Sequence, residues 1–153
     1  MNYYLNIGSN MGERRDNLYR AVAYLAAGTS GCAVSGIIES EPWGFESDNR
    51  FMNLGVMLDS DMEPQDMLQR IHDIEHRLGS SAHRDSQGNY IDRLVDIDIM
   101  AIDEMVIDSP DLQVPHPHLA ERDFFLVPLM QLAPDWRHPI TGLTPSQMLE
   151  NLH

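Results

Sequence analysis

The stretch Arg93-Leu94-Val95-Asp96-Ile97-Asp98-Ile99-Met100-Ala101-Ile102 carries the strongest strand pattern in the chain. Within the strand predicted over 94–102, apolar and acidic side chains alternate with a period of two from Val95 to Ile99, the pattern of a pleated strand. Asp96 and Asp98 leave the same face, with Cα atoms roughly 6.6 Å apart for a rise of ~3.3 Å per residue. Val95, Ile97, Ile99 and Ala101 fill the opposite face and read as core. Two carboxylates placed in this way repel each other and are costly to bury unless a metal ion, a proton or nearby arginines compensate. A solvent-facing acidic strand of an antiparallel sheet would show the same alternation.

Before this strand, residues 2–7 alternate with Tyr3, Leu5 and Ile7 on one face, and Gly8-Ser9-Asn10-Met11-Gly12 ends the strand in a polar turn. Leu18, Ala21, Val22 and Leu25 follow at helical spacing, closed by Gly28. Residues 32–38 and 51–58 are two more predicted strands. Pro64 opens a second helix, whose stripe of Met67, Leu68, Ile71, Ile74 and Leu78 runs to Gly79. Residues 80–92 are polar and lack a period, the mark of a functional or mobile loop. After the acidic strand, residues 105–107 are expected to pair back onto it. Residues 110–117 are extended, and 124–132 turn helical after Pro128. A terminal helix covers Pro145–Leu152. The order β-α-β-β-α-β is that of a ferredoxin-like unit. The expected fold is α+β, an antiparallel sheet with helices in three α/β/α layers, as one domain over residues 1–153.

Of the 153 residues, 24 are Asp or Glu and 10 are Lys or Arg, for a net charge of −14; all ten of the basic residues are Arg. A uniformly acidic chain is a poor ligand for nucleic-acid backbone or anionic membranes. Without Lys there is no Schiff-base chemistry and no phosphate-loop lysine. An anionic substrate must be met by Arg, His, backbone N–H groups or metal ions. The one cysteine, Cys32, excludes an intrachain disulfide and reads as a small buried or half-buried apolar residue. The first residues lack a signal-peptide pattern and no apolar run spans a bilayer, so a cytoplasmic protein is expected.

Arg84 and Arg93 precede the acidic strand, and His116 and Arg122 follow it. Carboxylates flanked by Arg and His suit hard metal ions that bridge a polyphosphate. His116, held between Pro115 and Pro117, is fixed in direction, as suits a hydrogen-bond donor to phosphate. His116 and His118 as a transition-metal pair lack a third ligand. Trp43 and Phe45, then Phe51 and Asn53, are either packing anchors or a platform for a flat heterocycle. On the second reading Asn53 supplies the paired donor and acceptor that match a pterin or purine edge.

Taken together, Tyr4–Gly12, Glu39-Ser40-Glu41-Pro42-Trp43-Gly44, Phe51-Met52-Asn53, Ile74-Glu75 with Gly79, the Asp96-x-Asp98 strand, Val114-Pro115-His116-Pro117, Arg122-Asp123-Phe124 and Pro128-Leu129 resemble the 6-hydroxymethyl-7,8-dihydropterin pyrophosphokinases of the folate pathway. The resemblance runs almost end to end. It implies a ferredoxin-like monomer that transfers pyrophosphate from ATP to the hydroxymethyl group of the reduced pterin, leaving AMP. By position, Asp96 and Asp98 would hold two Mg²⁺ ions. Arg84, Arg93, His116 and Arg122 would stabilise phosphate charge. Ser40, Glu41, Trp43, Phe51, Asn53 and Phe124 would form the pterin pocket, and His72, Glu75, Ile99 and Gln113 would contact the nucleotide. After Gly79 the family's usual arginine is replaced by Ser80-Ser81-Ala82-His83-Arg84, which leaves His83 or Arg84 to take its place. The alternatives are a metal-dependent phosphohydrolase using the same aspartates on water, and a non-catalytic ferredoxin-like binding module.

Overall fold

The structure, a computed structural model, describes residues 1–41, 50–79 and 94–153. The elements run β1 (Asn2–Ser9), α1 (Arg14–Ala26), β2 (Gly31–Val34), β3 (Ile38–Ser40), β4 (Phe51–Asp59), α2 (Pro64–Arg77) and β5 (Asp96–Ile102). They continue with β6 (Ile107–Asp108), β7 (Gln113–Val114), a 3₁₀ turn (Leu119–Glu121), α3 (Asp123–Leu132) and α4 (Pro145–Leu152). The sheet order is β2-β4-β1-β5, with β3 also on β4, and every pairing is antiparallel. That order, with both outer strands reached by crossovers, is the expected ferredoxin-like α+β arrangement.

One sheet face carries Tyr3, Leu5 and Ile7 of β1 with Leu54, Val56 and Leu58 of β4, and buries them against Leu18, Ala21 and Leu25 of α1 and Met67, Ile71 and Ile74 of α2. The other face buries Tyr4, Met100 and Ala101 against Phe125, Leu126 and Leu129 of α3 and Met148 of α4. Helices therefore lie on both sides of the sheet. On the second side α3 lies close because β4 has Gly55 beneath it: a Cβ there would stand 2.8 Å from the Pro128 Cβ and 3.0 Å from a Leu132 methyl carbon. Arg70 fastens the first layer, donating to the Tyr24 and Ala27 carbonyls at 2.7 and 2.6 Å at the C-terminal end of α1. A cation suits that end of the helix dipole. Thr144 and Gln147 close α4 with a capping box.

Five local expectations change. First, β5 contains a bulge: Leu5 faces Ile99 but Tyr4 faces Ala101, so Met100 is an extra residue. Parity shifts at that point, and Ala101 joins Met100 on the α3 side, whereas Ile102 takes the α1–α2 side. Second, residues 105–107 do not return to β5. Asp103, at φ 46°, turns the chain away, with its Oδ1 accepting from the Asn2 N–H at 3.0 Å, and Ile107–Asp108 pairs instead with Gln113–Val114. Third, α3 begins at Asp123, with Pro128 inside it. Fourth, the expected strand over 32–38 is two strands. Between them the Ser35 hydroxyl accepts the Gly55 N–H at 2.8 Å, and the Gly36 N–H donates to Gln131 of α3 at 2.9 Å. Fifth, Cys32 is exposed, because β2 ends the sheet.

Candidate active site

The site forms on the second sheet face, beside the start of α3. Asp96 lies opposite Gly8 and Asp98 opposite Asn6 on β1; across β1, Gly8 lies opposite Asn53 and Asn6 opposite Gly55 on β4. Antiparallel partners project to the same side, so Asn53, Gly8 and Asp96 form one rung and Gly55, Asn6 and Asp98 the next. Both aspartates are half-buried. Gly8 is where it is for space: a Cβ would come within 3.0 Å of the Asn53 Oδ1 and 3.2 Å of the Phe51 ring. Asn53 is buried, and its Nδ2 donates to the Ser40 hydroxyl of β3 at 2.8 Å. Ser40, Phe51 and Asn53 are thus assembled beside the acidic rungs.

On the outer side of β5 the chain returns at 113–116. The extra residue of the bulge supplies the anchor: the Met100 carbonyl accepts the His116 N–H at 2.9 Å. This brings the His116 Nε2 to 4.0 Å from an Asp98 carboxylate oxygen. The His118 N–H donates to His116 Nδ1 at 3.1 Å. An accepting Nδ1 leaves the ring proton on Nε2, the nitrogen that faces Asp98. Burial, together with the Arg122 and His118 charges, pushes the His116 pKa down to about 3, so at neutral pH the ring is a neutral Nε2–H donor. Its edge-to-face contact with Phe125, centroids 5.0 Å apart, holds it in plane. The Arg122 guanidinium carbon lies 4.9 Å from the Phe125 centroid and 5.6 Å from that of Phe124, a cation–π arrangement that keeps the charge at the start of α3. His116 is thereby brought to Asp98, and Arg122 to Phe124 and Phe125 at the start of α3. His118 is tied to Glu121 at 2.8 Å.

Glu75 is buried, and its Oε2 accepts the Ile97 N–H at 2.9 Å. It covers the amide between the two aspartates on the outer edge of β5. His72 lies one turn earlier on α2, exposed. Ile99 has its side chain in the α1–α2 core, so only its main chain reaches that edge. Gln113 is exposed and its Nε2 lies 3.4 Å from Asp108. Of these, Glu75 meets β5 through its carboxylate and Ile99 is part of that strand. Glu41 pairs with Arg50 at 3.3 Å, and Arg50 and Arg14 both reach Glu39, at 3.7 and 3.6 Å. Trp43, Arg84 and Arg93 lie outside the described residues. The sequence pattern assigns Asn6 no role of its own; the one signal is an amide inside a strand, between Leu5 and Ile7 of the apolar face.

An antiparallel sheet face with two carboxylates, beside a neutral imidazole donor and an arginine, belongs to the class of sites that handle phosphate charge. A crystal structure of an HPPK-DHPS in complex with substrates shares the fold, with a TM-score of 0.72 over 98% of this chain and 43% of that one, at 13% identity. This chain therefore spans less than half of that protein. The family model for 7,8-dihydro-6-hydroxymethylpterin-pyrophosphokinase (HPPK) matches residues 4–134. The 2-amino-4-hydroxy-6-hydroxymethyldihydropteridine pyrophosphokinase of Porphyromonas gingivalis is 41% identical over 138 residues, 89% of this chain and 92% of that protein. The enzyme of the same name from Aquifex aeolicus is 35% identical over 137 residues, 90% and 83% of the two chains. The chain belongs to the HPPK family. It is a folate-biosynthesis pyrophosphokinase that binds ATP and hydroxymethyldihydropterin and transfers pyrophosphate from the first to the second. No helix among the described residues is long and apolar enough to cross a membrane.

Proposed function

We propose that Asp96 and Asp98 form the metal-binding centre of this transfer, that His116, Arg122, Arg84 and Arg93 meet the phosphates, and that Ser40, Glu41, Trp43, Phe51, Asn53 and Phe124 hold the pterin. His72, Glu75, Ile99 and Gln113 border the nucleotide. The observation that carries this reading is the Asp96–Asp98 face, with His116 Nε2 at 4.0 Å from Asp98.

The donor set fits Mg²⁺. Two half-exposed carboxylates offer oxygen only, and among the described residues no group of three or more His, Cys, Asp or Glu could hold a metal. A site with two protein carboxylates that leaves the rest of the sphere to water and phosphate oxygens is what Mg²⁺ favours. Bound there, Mg²⁺ would neutralise phosphate charge and orient the chain for in-line attack. We assign two ions, as the resemblance to the pyrophosphokinases implies.

The chain's own groups do the rest. His116, neutral and tautomerically fixed, donates from Nε2 to a phosphoryl oxygen without needing to lose a proton. Arg122, held over Phe125, adds positive charge at the start of α3. The Asn53 amide, with Nδ2 committed to Ser40, turns Oδ1 toward Gly8 and the pocket, ready to accept from a pterin N–H. Phe124 presents a ring at the start of α3 for stacking. By the same resemblance, Asp96 is the group assigned to draw on the attacking hydroxyl. The unit acts as one domain over residues 1–153, as a cytoplasmic monomer.

The test is the product and its dependence on one carboxylate. With ATP, hydroxymethyldihydropterin and Mg²⁺ the protein should release AMP, and Asp98→Ala should lose several orders of magnitude in kcat with an unchanged unfolding midpoint. Unchanged turnover in Asp98→Ala would remove the metal role. Phosphate release from ATP without pterin would favour the hydrolase.

A further inference from the structure

Phe124 is the second residue of α3. In a regular helix its carbonyl would accept the N–H of residue 128. That residue is Pro128, which has none. The gap is filled from the sheet: the Asn6 Nδ2 donates to the Phe124 carbonyl at 2.8 Å. Asn6 is 2% exposed, sits mid-strand in β1, and lies directly opposite Asp98 on one side and Gly55 on the other. Gly55 is what lets Pro128 lie against the sheet. One side-chain amide therefore links the start of α3 to the rung that carries Asp98.

We propose that Asn6 is a positioning residue for the transfer: its amide sets the distance between the Phe124 ring and Asp98, and so between the pterin and the phosphates. This rests on the reading of Phe124 as a pterin contact. A pterin whose hydroxymethyl oxygen must meet a phosphorus atom in line tolerates little displacement, because reaction rates fall steeply with misplacement of about 1 Å. The bland role for Asn6 is to satisfy a buried carbonyl, worth stability alone.

Pro128 allows the two roles to be separated. In Asn6→Ala the carbonyl loses its donor and α3 loses its tether. In the double variant Asn6→Ala/Pro128→Ala the new N–H at residue 128 can satisfy the carbonyl within the helix, while the tether stays cut. Pterin KM, kcat, the affinity of a non-hydrolysable ATP analogue with Mg²⁺, and the thermal midpoint are measured for both variants and for Phe124→Leu. Asn6→Ala should raise pterin KM about tenfold, lower kcat, and leave the analogue's affinity within about twofold. The double variant should recover the thermal midpoint but keep the raised KM. Recovery of KM together with the midpoint would overturn the proposal, as would an unchanged KM in Asn6→Ala where Phe124→Leu raises it. An unchanged KM in Phe124→Leu itself would instead show that Phe124 is not a pterin contact, and the proposal would fall with that reading. Should Asn6→Ala alone not fold, the double variant decides.

Discussion

Gly8 and Tyr3 stand on opposite faces of the same strand and show two different residue-level demands. At Gly8 the demand is space. Gly8→Ala places a methyl against the Asn53 Oδ1 and the Phe51 ring, the two groups read as pterin contacts. Pterin KM should rise by about tenfold or more while the ATP analogue binds as before, as calorimetry with each ligand would show. At Tyr3 the demand is a neutral phenol. Its hydroxyl donates to the Met62 carbonyl at 2.5 Å. Burial first, then Glu63, Asp66 and Asp103, pushes its pKa from 10.0 up to about 12. The folded chain therefore keeps a proton that the unfolded chain releases. That stabilisation is whole below pH about 10 and is lost as pH rises toward about 12. Tyr3→Phe should lack this alkaline loss, on the order of 2 kcal/mol, while being weaker at neutral pH by one hydrogen bond. Urea midpoints at pH 8 and 11 for both proteins would check it.

At the scale of elements, the contact between β4 and α3 governs how the second layer seats. Gly55→Ala would drive a methyl to 2.8 Å from Pro128, and backbone-proximal crowding of this kind costs about 1–3 kcal/mol. The variant should unfold at lower urea and lose pterin affinity before ATP affinity, since α3 carries Phe124. Element order was legible in the sequence because it is written in local periodicity: the stripe from Met67 to Leu78 and the alternation around Asp96 need no knowledge of partners. The Met100 bulge and the helical start at Asp123 were not legible. A proline at 128 reads as a helix beginning until Asn6, far away in the chain, is seen to satisfy the carbonyl it leaves open. The bulge likewise makes sense only with His116 on its carbonyl. The Asp98–His116 pairing was legible as residue types but not as geometry, and Asn6 was invisible because its task is defined entirely by α3.

For the whole molecule, net charge outweighs any single ion pair. A net −14 on 153 residues opposes compaction, and the ion pairs of Arg14 and Arg50 with Glu39 and Glu41 are exposed and worth little each. Added salt should therefore stabilise the fold, since screening relieves net repulsion more than it weakens these pairs. The thermal midpoint should climb between about 0.02 M and about 0.5 M NaCl; a fall would mean that attractive pairs dominate. Catalysis should move the other way, with the apparent affinity for Mg²⁺ weakening as salt rises.

Cys32 is the one thiol among the 153 residues. It is exposed on β2, the sheet edge that lies three strands from β5, or ~14 Å at the usual strand spacing. A maleimide dye added to the unaltered protein would attach at that single place, clear of both aspartates. Such a fluorophore rides on the strand paired with β4, whose other end holds Phe51 and Asn53. The chain thus comes with a built-in spectroscopic handle, through which ligand binding can be followed by energy transfer without engineering a cysteine or removing another.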